Sequence, residues 1–233
     1  MIEHMLELRR RFIQVAVFFL AWFLVYYTFS SEVFHFVISP LIHILPKENT
    51  LIVTQVTTPV LIPLTLAADL AMLSTAPIAL FHIWQFAAPG LYQGERRGLG
   101  LTILLSITLF CIGALFCFYG VLPFVLKLFT QAVPSGVRYM PEMASSIQFI
   151  MRMMLLFGLC FQVPLVCILL VKTRIIDRAT LKNARPYWIV AAFILGMLLT
   201  PPDVISQITL AIPLCLLYEI GIVLSGYVID PTS

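Results

Sequence analysis

Apolar residues run through this chain in long blocks, separated by short polar or basic punctuation. The first block extends from Phe12 to Ser31 without a charge, about 20 residues, enough for one bilayer crossing at 1.5 Å per residue. A mixed segment follows, residues 32–63, with Glu32, Pro40, Pro46, Lys47 and Glu48. It is too polar for a span and too apolar for an ordinary loop, so short amphipathic pieces at the membrane interface are expected there. Further spans are expected over residues 64–86, 99–123, 148–171, 187–200 and 206–227, with loops at 124–147 and 201–205. The pattern predicts an all-α membrane protein of six helices forming a single domain over residues 1–233. The fifth and sixth helices are expected to be short, because Pro201-Pro202 stops the fifth after about 14 residues.

Composition turns that pattern into a physical requirement. Of 233 residues, 61% are hydrophobic and 11% charged, and the mean hydropathy is +1.03. A soluble domain carries about 25% charged residues and needs them to cover its surface. Lipid makes no such demand. The net charge of +3 is too small to suggest a nucleic-acid partner and is read as a topology signal. With the N-terminus inside, the inner segments hold three, two and five Lys/Arg, ten of the fourteen. The remaining four, Lys47, Lys127, Arg138 and Arg152, fall on outer segments or span ends. This asymmetry satisfies the positive-inside rule and places both termini on the cytoplasmic side.

Motif chemistry is sparse. The chain has no GxxxxGK[ST], HExxH or GxSxG pattern and no Cys/His metal spacing. Its five cysteines lie in apolar stretches and read as small buried hydrophobes, and the four histidines are scattered. Neither an enzyme nor a cofactor or metal is indicated. Polar groups inside spans are costly and therefore candidates for function: Asp69, Gln162 and Glu219. Each could equally be satisfied by a partner within the bundle. Asp203, after Pro201-Pro202, is suited to cap the sixth helix.

Glu7 and Glu95 differ, since both fall at the cytoplasmic edge beside arginines. Glu7 can pair with Arg10 or Arg11 at i+3 or i+4. Together the two glutamates offer two carboxylates on one side of the membrane. Carboxylates bind guanidinium groups by bidentate, charge-assisted hydrogen bonds, so such a pair suits two arginines on a client.

At this point the residues resemble a family. The stretch His4-Met5-Leu6-Glu7-Leu8-Arg9-Arg10-Arg11 is similar to the N-terminal signature of TatC, the multispanning subunit of the twin-arginine protein translocase. Ser39-Pro40-Leu41, Ala76-Pro77 through Trp84, Phe86 and Pro89-Gly90-Leu91-Tyr92, and Glu95-Arg96-Arg97 continue the match. So do Arg185-Pro186-Tyr187, the run Gly196 to Asp203 with Ser206-Gln207, Ala211-Ile212-Pro213 and Tyr218-Glu219-Ile220. The resemblance extends from His4 to about Gly226.

It implies six helices in a cupped bundle in the bacterial inner membrane. It also implies that Glu7 and Glu95 contact the twin arginines of a folded client's signal peptide, with Arg9, Phe86 and Arg97 shaping that surface. Pro40 would fix a periplasmic cap, and Asp203 and Gln207 would sit at the periplasmic end of the concave face. The fifth span, around Met197, would dock the single-span partner TatB. TatA would join an oligomeric complex powered by the proton-motive force, without a cofactor. Two positions depart from the family pattern. Gln162 stands where a glutamate is frequent, and Thr65 where a lysine is frequent, with Asp69 one turn later. A different class, a secondary transporter for a small solute, would instead use Asp69, Gln162 and Glu219 as a midplane pathway.

Overall fold

The computed structural model describes residues 2–44, 51–91, 96–134, 137, 139–199 and 204–229. Side chains are described at 6–42, 51–86, 100–134, 137, 139–198, 204–205 and 207–227. Ten α-helices occur among these residues: α1 (Ile2–Thr28), α2 (Ser30–Ile44), α3 (Thr58–Leu91), α4 (Arg96–Phe116), α5 (Leu122–Gln131), α6 (Met143–Cys160), α7 (Val163–Lys172), α8 (Arg178–Asn183), α9 (Arg185–Leu199) and α10 (Val204–Ile229). A π-turn, Cys117–Val121, joins α4 to α5. Helix dominates because backbone in lipid must satisfy its own hydrogen bonds. The β element among the described residues is one isolated bridge, Ile52 with Glu142.

Among the described residues, five helical stretches are long and apolar enough to cross a membrane: Leu6–Thr28, Thr58–Phe86, Gly100–Gln131, Met143–Lys172 and Gln207–Tyr227. The fifth expected span is the shorter apolar helix Arg185–Leu198. Apolar side chains are widely exposed, including Phe12, Leu24, Leu104, Ile194 and Leu198. A chain with several such helices and an apolar exterior is a multi-pass membrane protein.

The structure corrects several boundaries. The final helix, expected to be short, has 26 residues, with Pro213 inside it. The third span does not stop near residue 123 but continues helically to Gln131. Pro123, at the start of α5, has no N–H to give, and the π-turn resolves the clash by widening one turn so that Leu122 N bonds to Cys117 O. The fourth span is broken at Phe161 and Gln162, where Pro164 removes a donor and α7 begins afresh. In the segment after α1, expected to hold short amphipathic pieces, the chain forms one 15-residue helix, α2. α2 follows α1 across the single turn residue Phe29, whose N–H bonds to Val25 O and whose carbonyl accepts from Val33.

Two compact units divide the chain: Met1–Phe86 with Leu115–Leu155, and Ala87–Ala114 with Leu156–Ser233. In the first, α2 packs on α5, and α2 buries Val37, Ile38 and Leu41. Phe36 stacks on Phe118 of the π-turn at 5.2 Å. Pro40 lies within α2 and cannot donate to Phe36 O, so the Ser39 hydroxyl donates to that carbonyl instead, at 2.8 Å. Glu142 precedes α6 and accepts from Thr54 Oγ1 at 3.0 Å and from the Ser145 hydroxyl. These bonds hold its carboxyl below the usual carboxylate range, Ser145 contributing most.

The second unit is organised by α10, which packs on α7 and α9. Cys167, Val171, Leu181, Tyr218 and Ile222 form its buried cluster. Trp188 stacks on Tyr218 at 5.0 Å and donates to Leu214 O, while the Tyr218 hydroxyl donates to Leu181 O at 2.8 Å. Glycine lets helices meet closely here. A Cβ on Gly158 would lie 2.6 Å from the Phe110 ring, and one on Gly113 would lie 2.8 Å from Phe157 O. Close backbone approach through small residues is how helices pack where lipid supplies no hydrophobic drive.

Candidate functional site

The N-terminal basic run continues directly into the first apolar helix, so its charges sit on regular helical turns. Glu7 and Arg11 are therefore one turn apart on α1, and Arg11 is the partner that Glu7 takes. Arg11 Nε donates to Glu7 Oε1 at 3.1 Å, and Nη2 forms an ion pair with the same oxygen. Arg11 also reaches α3: Nη1 donates to His82 O at 2.9 Å and to Gln85 Oε1 at 3.1 Å. Its side chain is 14% exposed, against 49% for Glu7. Beside this network lies an apolar cavity of about 650 Å³ lined by Leu8, Arg9, Phe12, Ala79, Ile83 and Phe86, among others. Arg11, which lines this cavity, links it to the Glu7 carboxylate, and an anion beside an apolar groove suits a segment with a cation followed by apolar residues.

Of the residues expected to read a client, Arg9 and Phe86 line this cavity, and Glu7 is joined to it through Arg11. Glu95 lies outside the described residues, as does Asp203. Arg97 belongs to α4, with its side chain outside the description. Arg11, His82 and Gln85 were not among the expected contacts. The i,i+4 spacing of Glu7 and Arg11 signalled half of that network. The other half is a main-chain carbonyl, which leaves no mark in a sequence, and a glutamine 74 residues away.

The polar groups inside spans have protein partners. Gln162 is 7% exposed and reciprocally bonded to Ser106 of α4. Ser106 Oγ donates to Gln162 Oε1 at 2.6 Å, and Gln162 Nε2 donates to Ser106 O at 2.9 Å. Glu219 pairs with Arg185 at 2.7 Å. Asp69 lies within electrostatic reach of Arg152. A small-solute path through Gln162 and Glu219 would first have to break those bonds. Gln207 Nε2 donates to Phe193 O at 2.9 Å, tying α10 to α9. Met197 on α9 is 63% exposed among other exposed apolar side chains. Pro40 sits in α2, half-buried.

Comparison with known proteins bears directly on these motifs. The family described as Sec-independent protein translocase protein (TatC) matches residues 3–213. The chain belongs to the TatC family. It is 42% identical over 227 residues to the Sec-independent protein translocase protein TatC of Haemophilus influenzae, covering 97% of this chain and 89% of that one. The Escherichia coli TatC is 37% identical, with coverage of 97% and 88%. A crystal structure of a twin-arginine translocase receptor, TatC, superposes with a TM-score of 0.87 at 33% identity, covering 97% of this chain and all of that one. The all-helical architecture derived from the hydropathy pattern is thus that of the family.

Proposed function

We propose that this chain is the Tat translocase subunit that recognises twin-arginine signal peptides of folded proteins. The observation that carries the proposal is the half-exposed Glu7 carboxylate bonded to Arg11, itself a lining residue of the apolar groove formed by Leu8, Phe12, Ile83 and Phe86. One carboxylate of the pair binds a signal arginine there, and Glu95 supplies the second. Arg9 and Arg97 border the surface, and the apolar part of the signal follows the groove. Recognition takes place at the cytoplasmic face of the bacterial inner membrane, with both termini on that side. The exposed face of α9 around Met197 docks TatB, and TatA joins afterwards in an oligomeric complex driven by the proton-motive force. Pro40, Asp203 and Gln207 act in holding the opposite end. No bond is made or broken by the protein, so its role is selection and assembly.

The test is capture of the full-length protein, in membranes, by crosslinkable signal peptides carrying Arg-Arg or Lys-Lys. Arg-Arg peptide should crosslink and Lys-Lys peptide should not. Glu95→Gln and Glu7→Ala should each reduce crosslinking while the protein remains inserted. Normal export by both variants at normal protein level would remove the proposal.

A further inference from the structure

Glu7 is not presented bare. Its Oε1 takes two donors from Arg11, and Arg11 is anchored independently of Glu7 by His82 O and Gln85 Oε1 on α3. An ordinary exposed i,i+4 pair dissolves easily, since both side chains lose freedom to hold it. Here the cationic partner has lost that freedom already. Its third and fourth hydrogen-bond contacts are with neutral acceptors on another helix, and its side chain is much less exposed than that of Glu7. The guanidinium is thus fixed in position while the carboxylate keeps an open side.

We infer that Arg11 is an internal guanidinium occupying the place on Glu7 that a client arginine takes. This rests on the reading of Glu7 as a recognition residue. Arg11 is a positioning residue: it does not read the client but sets the threshold the client must exceed. An incoming arginine exchanges like for like at Oε1, and the displaced Arg11 keeps its two acceptors on α3. The exchange therefore leaves no unpaired guanidinium, which would be costly in a part-buried site. Weakly cationic segments, which cannot match two convergent donors, leave the latch closed.

The experiment is equilibrium binding of a fluorescent peptide, paired arginines followed by an apolar stretch, to the full chain in lipid nanodiscs. Arg11→Gln should bind roughly three- to tenfold tighter than the unmodified protein, the range expected when one charged competitor is removed. The gain should vanish when Glu7→Gln is added, because the competition acts through that carboxylate. Gln85→Leu keeps Arg11 but loosens its anchor, and should give a smaller gain in the same direction. Equal or weaker binding by Arg11→Gln, with melting as in the unmodified protein, would overturn the latch. A gain that survives Glu7→Gln would do the same. If Arg11→Gln does not fold, the result for Gln85→Leu decides by the same criterion. Where Glu7→Gln weakens binding but Arg11→Gln fails to strengthen it, the latch falls and recognition by Glu7 stands. Where Glu7→Gln has no effect, both fall.

Discussion

α1 and α10 are both long apolar helices, yet one rests on polar links with little burial and the other adds close packing to such links. No residue in the most apolar stretch of α1 is buried, whereas 39% of the corresponding stretch of α10 is. α10 buries Leu210, Ala211, Leu214, Tyr218 and Ile222, and Gly221 lets it approach Pro164 and Cys167 of α7. The polar links seen on α1 are those of Arg11 to α3 and a bond of 2.7 Å between the hydroxyls of Tyr26 and Ser74. In lipid, apolar surface gains nothing by leaving one hydrocarbon environment for another. A helix is then fixed either by shape, where backbones come close, or by a few polar clips. The first unit secures α1 by clips, and the second adds close packing to the clips of Gln207, Tyr218 and Glu219 on α10. Shape is hard to undo; a clip opens when its acceptor finds another donor.

Breaking shape should therefore have the largest effect. Gly158→Leu would force a side chain into a space where even a Cβ would lie 2.6 Å from Phe110. A loss of about 3 kcal/mol or more is expected, seen as failure to recover folded protein in detergent. Unchanged melting would mean that the close approach is not what orders the second unit. Breaking a buried clip should come next. Gln162→Ala removes both bonds to Ser106, with an expected cost of about 1–2 kcal/mol. Tyr26→Phe, which deletes a part-buried clip on α1, should cost about 0.5 kcal/mol and raise proteolysis of α1 more than it lowers global melting. If the two substitutions cost the same, burial does not distinguish the clips.

The smallest effect should be seen with pH. Glu142 is held below its ordinary carboxylate range when folded, so its contribution is complete above the unfolded value near 4.5. That contribution is lost as the pH falls through the lower folded value. Glu142→Gln should flatten the acid limb of a melting profile without altering it near neutrality. An identical acid limb in both proteins would show that Thr54 and Ser145 add nothing to its hold.

The contrast also explains what could be read in advance. The four long early spans and the short fifth helix follow from hydropathy, and the Glu7–Arg11 pair from helical spacing. The ends of the spans were less legible. A proline stops a helix only where no other donor is at hand, and Ser39 supplies one at Phe36 O. Likewise Gln162 is a polar residue in an apolar run whichever partner it finds, and Ser106 lies 56 residues away. The glycines were equally silent, because a close approach depends on the facing side chain. At the candidate site, the groove residues Arg9 and Phe86 were anticipated through the family motif. Arg11's anchor was not, since one of its acceptors is backbone.

The π-turn has one more consequence. An α-helix turns by 100° for each residue, and the widened turn at Cys117–Val121 in effect takes up one residue without advancing the helix normally. Everything downstream is rephased by that angle. The face of α5 formed by Leu122, Val125 and Leu126 points inward because of it. That single surplus residue works as an angular offset: straightening the turn into regular α-helix with every residue kept would leave every side chain of α5 chemically intact and aimed about 100° away.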